Sequence, residues 1–208
     1  MLHSKLQGVK RFSFPFDERE IPKNGIYVLF EKGEGGHGGD RIVRVGTHTG
    51  LDQLRSRLFQ HFLNENKDRS IFRKNIGRSL LHKEGDLFLA SWELDLTTRD
   101  AKEQHESSVD LDRQREVEKQ VTAYIQDHFS FVVFPIEEKE RRMDVESKII
   151  STVSLCNGCG PSEGWLGGSS PKEKIRKSGL WLVNELWKTP LSEEEMKELS
   201  SLLGSGKF

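Results

Sequence analysis

The stretch GIYVLFEKGEGGHGGDRIVRVGT, residues 25–47, decides the fold. Residues 25–31 and 40–47 each alternate between two faces, which is the pattern of a half-buried β-strand. The glycines between the two runs supply the positive φ angles that a hairpin loop needs. We therefore predict an antiparallel hairpin with a long, mobile tip. Tyr27 and Arg44 share one face of it, and Val43 and Val45 lie on the face opposite Arg44.

Two motif matches in the sequence have ordinary explanations. The glycines at 33–38 match G-x-G-x-x-G, but they lead into a strand, whereas a dinucleotide site needs a helix there. Cys156 and Cys159 form a C-x-x-C pair, and the sequence has no second cysteine pair to complete a four-cysteine zinc site. We interpret them as two ordinary thiols in a turn.

The rest of the chain predicts an α/β protein of the α+β type, with a small, three-stranded, mainly antiparallel sheet flanked by helices. Predicted helices cover 51–63, 70–81, 113–128 and 141–155, predicted strands cover 87–94 and 129–136, and 97–112 forms a loop or short helix. We predict an irregular N-terminal arm at 1–23 and a domain at 24–160 with a helical insertion at about 65–112. A C-terminal extension at 161–208 packs on that domain, with its tryptophans in the contact.

Composition bounds the class of protein. The chain has 208 residues, which suits one domain, and no stretch approaches the roughly 18 apolar residues of a membrane span. We expect a cytoplasmic protein. The net charge of −1 conceals a basic region at 51–83 with eight basic and three acidic residues, and an acidic region at 93–118. The basic region is either a solvated helix face or a surface for a polyanion.

Polar residues follow the hairpin in a definite order. Arg57 and His61 are four residues apart on the first helix, so they share a face, and that face differs from the Leu54/Leu58 stripe. Glu146 lies at the edge of the apolar stripe of a later helix, and Asn157 follows eleven residues on.

This order resembles the GIY-YIG nuclease superfamily. Gly25-Ile26-Tyr27 matches the first motif, Arg44-Val45-Gly46 fills the second, and the segment 57–61 matches the helical R-x-x-x-H. Residues 129–136 look like the third strand. Glu146 looks like the metal-binding glutamate, and Asn157 is a counterpart of the asparagine that often follows. The departure is Arg44, which replaces the second motif's tyrosine.

The resemblance implies metal-dependent hydrolysis of a phosphodiester. Tyr27 would be the general base, Arg57 a phosphate clamp, and Glu146 the ligand of Mg²⁺ or Mn²⁺. His61 would hydrogen-bond the attacking water or a phosphate oxygen. Since nearby cations favour a phenolate, Arg44 would assist Tyr27 or grip the phosphate itself.

Basic side chains outside these motifs are expected to bind phosphates without reading sequence. They are Arg69, Arg73, Lys74 and Arg78 in the insertion, and Lys174 and Arg176 in the extension.

We therefore predict a metal-dependent DNA endonuclease, with RNA open as a substrate and a homodimer open as its assembly. One alternative is a catalytically impaired module that binds nucleic acid. Another is a scaffold or regulatory protein with a degenerate fold.

Overall fold

The structure is a computed structural model that describes residues 2–105 and 108–204. Its strands are β1 (Phe12–Ser13), β2 (Gly25–Gly36), β3 (Gly39–Gly46) and β4 (Phe129–Pro135). Its helices are α1 (Leu2–Gln7), α2 (Leu54–Phe62), α3 (Ile71–Glu84), α4 (Leu89–Trp92), α5 (Arg99–His105), α6 (Leu111–His128), α7 (Lys139–Ser154), α8 (Glu173–Ser178) and α9 (Glu193–Gly204). Short 3₁₀ turns lie at Glu18–Glu20 and Leu166–Ser169.

The four strands form one antiparallel sheet in the order β1-β4-β2-β3. β2 is central and places Tyr27 opposite Gly46 on β3 and Val133 on β4. The predicted fold class is confirmed, and its three long strands are β2, β3 and β4. The arm is not wholly irregular, because it contributes α1 and the short edge strand β1, in which Phe12 pairs with Phe131.

Each face of the sheet is covered by helices. On the face that carries Tyr27, side chains of α2, α3 and α6 form one apolar core with Leu29 and Phe131. On the other face, α1, α7 and α9 pack against Ile26 and Val28. Both cores follow from the alternation along β2, since successive residues of a strand point to opposite faces.

The hairpin differs from its prediction in two ways. A bulge shifts the register between Leu29↔Arg44 and Phe30↔Ile42. Val43 therefore joins the core on the Tyr27 side while Val45 joins the opposite one, so the prediction that they share a face is wrong. The predicted long tip is also wrong, because β2 and β3 continue to a turn of only His37 and Gly38, both with positive φ.

The predicted strand at 87–94 is also wrong. This segment contains the short helix α4, whose Trp92 is buried against Gly77 of α3 and donates its indole N–H to the Lys74 carbonyl at 3.0 Å. The apolar residues of 87–94 are compatible with a buried helical turn as well as with a strand. Periodicity over so short a run does not distinguish the two.

The C-terminal residues pack on the sheet through a buried carboxylate. Glu31 accepts hydrogen bonds from the indole N–H groups of Trp165 and Trp181, each at 2.8 Å, and from the Tyr124 hydroxyl. Burial raises the pKa of Glu31.

The division into residues 1–23, 24–160 and 161–208 stays a proposal. These segments contain Met1, residues 106–107 and residues 205–208, which lie outside the described residues. None of the described helices is both long and apolar enough to span a membrane.

Candidate active site

The Tyr27 hydroxyl lies inside the core on the α2 side of the sheet. It is 2.8 Å from His61 Nε2 and accepts a hydrogen bond from Arg44 Nε at 3.4 Å. The predicted sharing of one face by Tyr27 and Arg44 is therefore confirmed. The opposite residue on β3 has to be Gly46, because a Cβ there would stand 2.2 Å from the Tyr27 hydroxyl oxygen.

His61 holds the hydroxyl from α2. Its Nδ1 is 2.7 Å from the Ser70 hydroxyl, which also caps α3 by accepting from the Arg73 N–H. Burial, then the charges of Arg57, Arg44 and Arg73, lower the pKa of His61 well below its ordinary value, so the ring is neutral.

The predicted contact of His61 with water or phosphate is not what the structure shows. The side chain is fully buried, with one nitrogen on Tyr27 and the other on Ser70. It can therefore position the phenol, but it does not reach solvent. The sequence predicted that His61 lies on a different face of α2 from the apolar stripe. In the structure α3 and α6 cover that face as well, so His61 is buried.

Arg44 joins the buried phenol to an open cleft. Its guanidinium lies 5.2 Å from the Phe72 ring and donates to the Trp181 carbonyl. Arg44 also lines a cleft of about 590 Å³ between α3, α7 and residues 182–185. Trp181 was not predicted as part of the site, and no sequence signal marks a backbone carbonyl for this role.

Glu146 lines the same cleft from α7. Its Oε1 accepts from the Thr47 backbone N–H at 3.0 Å, and the Thr47 hydroxyl donates to the Gly25 carbonyl at 2.7 Å. The carboxyl is therefore held one residue beyond Gly46, the partner of Tyr27. Burial raises the pKa of Glu146, while Arg44, the Thr47 N–H and Arg57 act in the opposite direction.

Asn75 is a cleft residue that the sequence analysis missed. The residue is 1% exposed, and its Nδ2 has no hydrogen-bond partner among the described residues, although Asn75 lines the cleft with Arg44 and Glu146. An unpaired buried donor is costly, so this amide would gain from an added hydrogen-bond acceptor. In the sequence, Asn75 is one polar residue within a predicted helix, and no motif marks it as a site residue.

Arg57 lies on the adjacent side of Thr47. It is half-buried, and its guanidinium donates to the Gln60 side chain and to the Arg69 carbonyl, each at 3.1 Å. It lines a second, smaller cleft of about 260 Å³ together with Thr47 and His48. Its charge is close enough to affect the pKa of both His61 and Glu146.

Asn157 does not join these residues. It is exposed and follows Cys156, whose Sγ is 3.1 Å from His37 at the hairpin tip. The tip lies at the opposite end of β2 and β3 from Tyr27 and Gly46. The predicted role of Asn157 in the site is therefore wrong for this structure, because α7 carries the chain away from the cleft before residue 157.

Three of the predicted phosphate-binding residues form ion pairs inside the protein. Arg73 is fully buried and pairs with Glu118 at 2.7 Å. Lys74 pairs with Asp68 at 3.2 Å, and Arg78 pairs with Glu93. The expectation of a solvated basic face on α3 is corrected, since acids brought from elsewhere in the chain neutralise it.

The other three predicted residues stay at the surface. Arg69, Lys174 and Arg176 are exposed. Lys174 donates to the carbonyl of Val183, which lines the large cleft, so its ammonium lies near the rim.

Comparison with known proteins identifies the family. The model of the GIY-YIG domain matches residues 1–204. The chain belongs to the GIY-YIG domain family. Membership of the GIY-YIG family supports a nuclease-type function in general for this protein, with nucleic acid as the substrate class. No curated protein and no solved structure matches it.

Proposed function

We propose that this protein is a metal-dependent endonuclease that hydrolyses phosphodiester bonds of DNA. In this proposal Tyr27 is the general base, Arg44 and Arg57 are phosphate clamps, and Glu146 is the metal ligand. The observation that carries the proposal is the position of Arg44, whose guanidinium contacts the Tyr27 hydroxyl and lines the same cleft as Glu146. Base, cation and carboxylate thus belong to one continuous site.

The residues present fit a hard divalent cation. Glu146 Oε1 is fixed by the Thr47 N–H, and among the described residues no group hydrogen-bonds its Oε2. Mg²⁺ commonly binds one or two carboxylates and takes its other oxygens from water and substrate phosphate. Bound there, Mg²⁺ or Mn²⁺ would supply neutralisation of charge on the phosphate.

The protein groups then have separate tasks. Tyr27 is the general base that takes a proton from the attacking water, and the Arg44 N–H donates a hydrogen bond to the Tyr27 oxygen. Neutral His61 donates Nε2–H to that oxygen while the Ser70 hydroxyl donates to Nδ1. Arg44, Arg57 and the unpaired Asn75 amide bind phosphate oxygens, for which guanidinium groups are suited.

A pair of tyrosine variants tests this proposal. The chain has two tyrosines, and Tyr124 contacts Glu31 outside the site. We expect Tyr27→Phe to lower the rate of Mg²⁺-dependent cleavage of supercoiled plasmid at least 100-fold, and Tyr124→Phe to retain it. Cleavage by Tyr27→Phe at the wild-type rate would rule out the general base. A labelled RNA of matching sequence, assayed in parallel, tests the choice of DNA.

A second candidate function is nucleic-acid binding without cleavage. The observation that favours it is burial, because Tyr27 is 1% exposed and Arg44 is bound to the Trp181 carbonyl. A substrate water reaches the phenol only if Arg44 or residues 181–185 move. Salt-sensitive binding of DNA, with no cleavage in Mg²⁺ or Mn²⁺, would support this function and contradict the first.

A further inference from the structure

Four side chains with metal-binding atoms meet at the end of the sheet opposite Tyr27. They are His3 of α1, His37 of the hairpin turn, and Cys156 and Cys159 of the loop after α7. One ligand atom of each lies within 4.8 Å of those of the others. The residues come from three segments that are far apart in sequence, so the fold itself assembles the cluster.

The spacing within this His₂Cys₂ cluster matches tetrahedral coordination. His37 Nε2 is 3.1 Å from Cys156 Sγ, and His3 Nε2 is 3.6 Å from Cys159 Sγ. Tetrahedral zinc, with bonds of about 2.3 Å to sulfur and about 2.0 Å to nitrogen, holds such atoms about 3.5 Å apart. Only small side-chain movements are needed to bring four ligands around one ion.

The backbone around the cluster is arranged for close approach. A Cβ at Gly36 would lie 2.7 Å from the Cys159 Cβ, and a Cβ at Gly158 would lie 2.8 Å from His37 Cε1. His37 itself has a φ of 54°, which is uncommon for a residue other than glycine. These features let the hairpin turn and the C-x-x-C loop face each other directly.

One histidine of the cluster also lacks a partner. His3 is 3% exposed, and in the part of the chain that the structure describes its Nδ1 has no hydrogen-bond partner. A buried imidazole with an unpaired nitrogen is unusual in a folded protein. A neutral imidazole binds metal ions through either ring nitrogen, so His3 offers this atom as well as Nε2 as a ligand.

We propose that His3, His37, Cys156 and Cys159 bind one structural Zn²⁺ ion. Two thiolates and two imidazoles are soft or intermediate ligands that favour zinc over magnesium, which takes oxygen ligands. All four positions are filled by protein, as in structural rather than catalytic zinc sites. The ion ties the N-terminal helix and the hairpin turn to the end of α7.

This site is separate from the cleft of the proposed nuclease. Glu146 and Cys156 are ten residues apart along and just beyond α7, which corresponds to roughly 15 Å. The sequence alone did not reveal the zinc site, because the C-x-x-C pair has no second cysteine pair and its partner histidines precede it by more than a hundred residues.

Metal content tests the proposal. Protein refolded in one equivalent of Zn²⁺ and then dialysed should retain about one zinc per chain. Cys156→Ser and His37→Ala should fall below a tenth of that content, whereas His37→Cys, which keeps a ligand, should retain zinc. His82→Ala, an exposed histidine on α3, is the matched control and should match wild type.

Cobalt gives a second readout that needs no variant. Wild type loaded with Co²⁺ should show the intense visible bands of a tetrahedral ion and a thiolate-to-cobalt charge-transfer band. Zinc-free wild type should unfold at a lower temperature than the zinc form. Wild type without retained zinc or cobalt bands, or with a Cys156–Cys159 disulfide after purification under reducing conditions, would overturn the proposal. None of these readouts depends on nuclease activity.

Discussion

The Tyr27 hydroxyl lies 2.8 Å from His61 Nε2, and both side chains are buried in the core. Ser70 hydrogen-bonds the other ring nitrogen of His61, and Arg44 donates a hydrogen bond to the Tyr27 hydroxyl. The consequence is a phenol whose hydrogen bonds are fixed before substrate arrives. Arg44 is the member of this group that also faces the open cleft.

The pH dependence of stability reports on His61. A buried histidine with a lowered pKa stays neutral in the folded protein but is protonated in the unfolded chain below about pH 6.5. Its contribution is therefore complete at neutral pH and is lost as pH falls below that value. We expect His61 to account for about 1.4 kcal/mol of lost stability between pH 7.5 and 5.5.

Urea unfolding at these two pH values measures this effect. His61→Gln should be less stable than wild type at pH 7.5 and should lose less stability on acidification. His3 and His48 also have lowered pKa values and are present in both proteins, so the difference isolates His61. An equal loss in wild type and His61→Gln would contradict the neutral buried histidine.

Arg44 is expected to affect the rate of cleavage. Arg44→Ala removes the cation that contacts the Tyr27 hydroxyl and lines the cleft, so the rate of Mg²⁺-dependent cleavage should fall about 100-fold. Arg44→Tyr, which restores the tyrosine of the family motif, should keep Mg²⁺-dependent cleavage. Single-turnover rates at one pH measure this effect, and an unchanged rate in Arg44→Ala would reject this role.

Variants of Arg73 and Arg69 distinguish a structural role from a role in DNA binding. Arg73 is fully buried with Glu118, so Arg73→Gln leaves a buried charge unpaired and should cost about 3–5 kcal/mol of stability. Arg69 is exposed, and Arg69→Gln should leave stability within about 0.5 kcal/mol. Denaturant unfolding measures the stability of both variants, and fluorescence anisotropy measures their DNA binding. A stable Arg73→Gln with weakened DNA binding would restore the original phosphate-binding prediction.

Asn75 tests whether the cleft binds phosphate. Asn75→Asp replaces an unpaired amide donor with a negative charge beside Arg78, to which the side chain already binds. We expect the affinity for DNA to fall by about 10–100-fold, the cost of one lost hydrogen bond to a charged group. Fluorescence anisotropy at two salt concentrations measures this, and unchanged affinity would place the phosphate elsewhere.

The alternation and order of residues 25–62 were sufficient to predict the hairpin, the helix after it and the shared face of Tyr27 and Arg44. They were not sufficient for contacts that depend on tertiary structure. Glu118 and Glu93 neutralise the basic helix from distant positions, and a bulge changes the face of Val43. Asn75 gave no periodic signal, because its importance comes from a donor left unpaired in the cleft.

Glu146 provides the most direct test of the proposed site. We expect wild type to nick supercoiled plasmid in Mg²⁺, and Glu146→Gln to lose this activity at least 100-fold while still binding DNA. Glu140→Gln, an exposed acid on the first turn of α7, is the matched control and should cleave like wild type. Cleavage by Glu146→Gln at the wild-type rate would contradict the proposal that this carboxylate, with Arg44 and Tyr27, forms the catalytic site.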